Sequence, residues 1–186
     1  MKNILKISIL VLMVVFASCK DNKSGNKETV EESNQPTTKK SQTSFSIETI
    51  LDNYLKLKNA LVEDNSEEAA QSGKELAVTL NDLNTDKIEQ ELKKEYADIL
   101  EDAKEHADHI GANADNIAHQ REHFVTLSKD IEDLIELFGT NKKLYLDFCP
   151  MADENKGAVW ISEKEEIKNP YFGSQMLSCG SVKKEF

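Results

Sequence analysis

The chain has 186 residues, with 34 acidic against 23 basic side chains and a formal net charge of −11. A surface this acidic excludes nucleic acid and anionic lipid headgroups as electrostatic partners. It is compatible with cations, although acid spread along helices also serves as plain solvated surface.

Residues 1–18 combine a charged start, an apolar run from Ile7 to Phe16 and the small pair Ala17-Ser18, the pattern of a secretory signal peptide. The run is too short for a membrane-spanning helix. Cys19 follows the small pair as in a bacterial lipobox, with Phe16 where leucine is more usual. The stretch resembles a lipoprotein signal, which implies that Cys19 is the lipidated first residue of the mature chain. The alternative is an ordinary cleaved signal beside a chance cysteine. Removing residues 1–18 takes away two lysines and no acid, so the mature charge becomes 21 − 34 = −13. The expected location is the cell envelope, on the periplasmic face of a bacterial membrane (the outer membrane first), held by acyl chains.

Residues 19–44 are expected to be a tether. Beyond Cys19 they are Lys, Glu, Asn, Ser, Thr and Gln with Pro36 and almost nothing apolar, too little to offset ordering entropy. Such a coil spans about 25–30 Å on average. Residues 45–186 are long enough for a single domain with its own core.

Helical periodicity runs from Ser46 to Phe138. The first segment places Ile47, Ile50, Leu51, Tyr54, Leu61 and Val62 three and four apart. Asn65 and Glu68 predict a capping box for a second helix, whose Ala69, Gly73, Leu76, Ala77 and Leu80 suggest close helix contact. Asn84 and Thr85 are expected to cap a third, with Ile88, Leu92, Tyr96, Ile99, Ala103 and Ile110 as its stripe. Asp115 is the expected cap of a fourth, whose arc of Ile117, Phe124, Leu127, Ile131, Leu134, Ile135 and Phe138 ends at Gly139. After Gly139, Leu144–Phe148 and Ala158–Ile161 read as strands paired across Pro150–Gly157 and clamped to the helices by Trp160, Tyr171 and Phe172. The predicted fold class is mainly α: a four-helix antiparallel up-and-down bundle with a small C-terminal β-hairpin or loop cap.

The four histidines fall on the third and fourth helices. At about 100° per residue, His106 points into the bundle, His109 sits at the edge of that face and His123 borders the arc of the fourth helix. His119 lies further out, and His119 and His123 are expected to be largely solvated. Cys149 and Met151 project to one side of a strand, and Met176 and Cys179 to one side of a helical turn. Two readings follow. Thiolate and thioether select Cu(I), and a fold-back would gather both pairs, with His106 or His123 as a further donor. Two cysteines in an exported domain also form a disulfide staple, with the methionines filling gaps in the core. No enzyme motif is present: His119-Gln120-Arg121-Glu122-His123 lacks the glutamate beside the first histidine that a zinc protease needs, and the cysteines are not in a C-x-x-C pair.

The run Cys149-Pro150-Met151-Ala152, Lys156-Gly157-Ala158, Trp160-Ile161-Ser162, Ile167, Asn169-Pro170-Tyr171-Phe172-Gly173, Met176-Leu177 and Cys179-Gly180 resembles a family of domains of unknown function. Gln120-Arg121, Phe124 and Leu127-Ser128 match the same pattern, and the likeness covers roughly residues 46–184. That family occurs in exported lipoproteins and at the C-terminal end of some periplasmic adaptor subunits of copper and silver efflux pumps. The resemblance implies a metal-handling role, with a Cu(I) site at Cys149, Met151, Met176 and Cys179, completed on occasion by His106 or His123. It also implies heavy-metal efflux components as partners. The competing reading is an envelope interaction module whose Cys149–Cys179 pair is a structural disulfide.

Overall fold

The computed structural model describes residues 45–186 apart from Leu83. The expected signal peptide, lipidated Cys19 and tether lie outside the described residues. No described helix is long and apolar enough to cross a membrane.

Four helices form the bundle: α1 (Glu48–Val62), α2 (Ser66–Asn81), α3 (Lys93–Ala112) and α4 (Ile117–Phe138). Each buries the stripe that its periodicity marks, including Ile50, Leu51, Tyr54 and Leu61 on α1 and Phe124, Leu127, Ile131 and Leu134 on α4. The pairings between helices run in opposite directions. Asn53 and Lys56 of α1 meet Thr79 and Glu75 of α2, and Lys104 of α3 reaches back to Asn81. Across α3 and α4, Ile110 meets Gln120 while His106 meets His123. The bundle is therefore up-and-down and antiparallel. Two glycines bring α2 and α3 into backbone contact: a Cβ on Gly73 would lie 3.0 Å from the Ala107 carbonyl oxygen, and one on Gly111 would lie 2.8 Å from Lys74 Cγ.

The turns differ from expectation at three points. Asn65 does cap α2, its side chain accepting from the Glu68 amide, but Glu68 answers the Asn65 side chain rather than its backbone. Asn84 caps only a 3-10 turn, Thr85–Lys87. Ile88 is then extended and buried, so α3 begins at Lys93. The apolar stripe of this segment includes an anchoring residue that is not itself helical. At α4 the cap is Asn116, not Asp115, its side chain accepting from the His119 amide at 3.2 Å.

The C-terminal part forms a three-stranded antiparallel sheet of β1 (Tyr145–Cys149), β2 (Ala158–Ser162) and β3 (Ser181–Glu185), in the order β2-β1-β3. The predicted hairpin is β1 with β2, in the register Cys149↔Ala158. The third strand was not expected, because Ser-Val-Lys-Lys-Glu is exposed at every position and shows no apolar alternation. A charged edge strand of that kind needs no apolar face.

The sheet lies on α4 and α1. Tyr54 joins all three elements: its hydroxyl pairs with Ser128 Oγ at 2.8 Å and accepts from the Ile161 amide at 3.1 Å. Tyr171 closes onto the Val159 carbonyl, and Trp160 is fully buried beside it. Phe172, the third expected clamp, is only partly buried but packs against the core. Arg121 ties the Asn169–Gly173 stretch down, donating to the carbonyls of Pro170 and Leu61 and to Asp64.

Candidate metal centre

The α3–α4 turn sets the register that brings the histidines together. It is short and capped by Asn116, so residues equidistant from its middle face each other across the helix pair. His106 Nδ1 lies 2.9 Å from His123 Nδ1, and His123 Nε2 lies 3.2 Å from His119 Nε2. His109 stacks on His123 with ring centroids 4.3 Å apart. One ring nitrogen from each of His109, His119 and His123 falls within 4.8 Å of the others. Three nitrogens bound to one ion at about 2.0–2.1 Å stand roughly 3.4 Å apart in tetrahedral geometry. Drawing the three nitrogens from within 4.8 Å of one another to that spacing, and turning His109 out of its parallel stack on His123, would place the donor set on one first-row transition ion.

The hydrogen bonds also order the protons. His119 Nδ1 lies 3.0 Å from Glu122 Oε2, and a carboxylate oxygen only accepts, so His119 carries its proton on Nδ1. Its Nε2 is then a lone pair facing His123. In the ion-free arrangement His123 donates from Nε2 to His119 and accepts at Nδ1 from His106. With an ion held on both Nε2 atoms, His123 would carry its proton on Nδ1 and donate it to His106 Nδ1, and His106 would carry its own proton on Nε2. Glu122 and His106 thus act on the outer nitrogens of His119 and His123, as the orienting partners of metal-bound imidazoles do. Burial, the largest cause, pushes the pKa of both His106 and His123 down. For His123 the neighbouring imidazoles add to this. Neutral rings are the form that binds metal.

The four side chains are partly buried, except His109, which is exposed. His106 lies in the seam between α3 and α4 rather than in the bundle core, and His119 is half-covered rather than solvated. Counting each helix face separately missed His109 and His119 as members of the cluster. The signal was there: a His-x-x-His on one side of a short turn and a His-x-x-x-His on the other.

The sulfur residues sit elsewhere. Cys149 ends β1 and Cys179 precedes β3, and the pairing of Phe148 with Ser181 brings their Sγ atoms to 2.7 Å. The expected fold-back therefore does join 149 to 179, through the third strand. Met151 is 46% exposed and lines a groove of about 590 Å³ with Arg121, Lys129, Tyr171 and Phe172. That groove lies roughly a third of a turn around α4 from His119 and His123. Met176 is partly buried. The structure thus brings together Cys149 with Cys179, and His106 with His123, as two separate groups.

Residues 50–143 match a family model described as "Protein of unknown function (DUF3347)". No curated protein and no solved structure matches. The matched span holds most of α1 and the whole of α2–α4 with all four histidines and ends before Cys149, so it rests on the helical part rather than on the C-terminal motif that carried the resemblance. Since it covers just over half of the 186 residues, the chain belongs to this family of proteins of unknown function.

Proposed function

We propose that this protein binds copper at the cell envelope, and that the ion sits on the imidazoles of α3 and α4. The observation that supports this reading most strongly is the His119–His123 pair, with Nε2 atoms 3.2 Å apart and His109 within 4.8 Å. Imidazole suits copper, zinc and nickel alike, and copper(II) binds most tightly of the divalent series to a given nitrogen site. Ligands from two rigid helices hold the ion without a flexible loop. The excess of acid on the chain favours cation approach.

In this reading the ion is cargo. The protein, anchored by a lipidated Cys19 on the periplasmic face of the outer membrane, sequesters copper or passes it to an efflux system by ligand exchange. Cu(I) and Cu(II) are both accessible to imidazole ligands. The soft set of Cys149, Met151, Met176 and Cys179 is the alternative donor group for Cu(I). Two thiolates on one tetrahedral ion stand about 3.8 Å apart at metal–sulfur bonds of about 2.3 Å. The Sγ atoms, at 2.7 Å, would have to separate to hold an ion between them.

The test is calorimetric titration of the purified chain with Cu(II) and Zn(II), repeated on His119→Ala and His123→Ala. One equivalent of copper that binds more tightly than zinc and is lost in both variants is the expected result. Unchanged copper binding in His123→Ala would overturn the assignment. For the anchor, Cys19→Ser is expected to leave the membrane fraction.

A further inference from the structure

The imidazole site leaves the thiol pair unused, and its surroundings are built to hold the two sulfurs in place. Cys149 is fully buried at the end of β1, paired with Ala158 on one side, while Cys179 is partly exposed. Cys179 is pinned from behind. The buried Asn169 donates from Nδ2 to the Cys179 carbonyl at 2.7 Å, while its Oδ1 accepts from the amides of Tyr171 and Phe172. The next residue, Gly180, has φ +146°, and a Cβ there would lie 2.8 Å from the Trp160 ring and 3.0 Å from the Phe148 carbonyl oxygen. Only glycine lets the chain come this close to β1.

We propose that Cys149 and Cys179 are a modification site: they close to a structural disulfide that fastens the 150–178 loop and the edge strand β3 to β1. The proposal is independent of the copper reading. The chemistry is thiol–disulfide exchange with a disulfide-bearing oxidant. The Cys179 thiolate, on the accessible side, attacks one sulfur of that oxidant. A mixed disulfide forms at Cys179 and one external thiolate leaves. The Cys149 thiolate then attacks Cys179 Sγ, and the second external thiolate leaves. The two protons from the cysteines end on the two leaving thiols, and the oxidant gains two electrons.

The pair is suited to a staple rather than to an exchanging couple. Exchange-active cysteines have lowered pKa values and lie next to positive charge. Here the contact with Cys149, followed by burial, pushes Cys179 up to about 11. The high pKa slows closing, through the small thiolate fraction of Cys179, and slows reopening, through the poor leaving group. The loop it closes carries Trp160, Tyr171 and the Arg121 tie, so closure secures the whole cap on α4.

The experiment incubates the full chain with oxidised glutathione, removes the reagent, and measures mass, free thiols and Tm. The expected result is a mass two hydrogens lower, no thiol at positions 149 and 179, and a peptide linking the two. Reduction of the same protein should lower Tm by roughly 10 °C. Because oxidised and reduced forms share one sequence, the comparison does not depend on a variant folding. Glutathione adducts on Cys179 without the cross-link would overturn the proposal. So would a cross-link whose reduction leaves Tm unchanged. Gly180→Ala, which moves Cys179 off β1, should slow cross-linking at least tenfold. Copper titration of the oxidised chain should be unaltered, so failure of either reading is seen separately.

Discussion

The molecule holds two clusters of metal-compatible side chains, and they are built differently. The imidazoles project from α3 and α4, two long helices locked by an antiparallel register, and one nitrogen from each of His109, His119 and His123 lies within 4.8 Å of the others. Each of two rings has its outer nitrogen engaged, by Glu122 or by His106. The sulfurs project from the ends of short strands. They touch each other, and of the methionines that the sequence grouped with them Met151 is 46% exposed. The family resemblance pointed to the sulfurs as the copper site. Spacing and support favour the imidazoles.

The largest effect that separates the clusters is on affinity. His123→Ala removes a donor and the link to His106, and should weaken copper at least 100-fold by calorimetry. The paired substitution Met151→Leu/Met176→Leu, near-isosteric and outside the imidazole set, should change affinity less than twofold. A reversal of these two results would move the site to the sulfurs.

His106 sharpens the contrast as a positioning residue. His106→Leu leaves His123 Nδ1 without its acceptor and should cost about 10–100-fold in affinity. His106→Gln supplies a carbonyl acceptor and should recover most of it. A purely packing role would give equal losses in the two variants.

Stability should also divide the two regions by the sign of its pH dependence. Asp147 on β1 is fully buried, with neither carboxylate oxygen hydrogen-bonded, and burial pushes its pKa up to about 6. Its folded pKa lies above the ordinary 3.8, so stability is greatest below that value and is lost as pH rises through about 6. Asp147→Asn should therefore stabilise the chain by about 2 kcal/mol at pH 8 and by little at pH 4. The imidazoles act the other way. The folded pKa values of His106 and His123 lie below 6.5, so their contribution is whole above that pH and falls as pH drops through it. His106→Gln should flatten the acid side of the stability profile in metal-free protein by less than about 1 kcal/mol. Chemical unfolding at several pH values reads both effects.

The bundle was legible because period 3.6 survives wherever a helix packs on one face. It misled only at Ile88, an apolar residue that is extended and anchors the chain before α3. The β1–β2 hairpin showed in its apolar composition. β3 did not, because an exposed edge strand of Ser181-Val182-Lys183-Lys184-Glu185 carries no burial pattern. For the site, helix-by-helix projection placed His106 and His123 but left His109 and His119 aside. What unites them is the register across the Asn113–Asn116 turn, a property of two helices together. The meeting of Cys149 with Cys179 was foreseeable only as a possibility, since it depends on that unseen third strand.

The most direct test of the central claim is copper K-edge X-ray absorption on the one-to-one copper complex, prepared with reduced thiols. Nitrogen scatterers at about 2.0 Å with imidazole multiple scattering, and no sulfur shell, are the predicted result. A sulfur shell near about 2.3 Å would contradict it and place copper on Cys149 and Cys179.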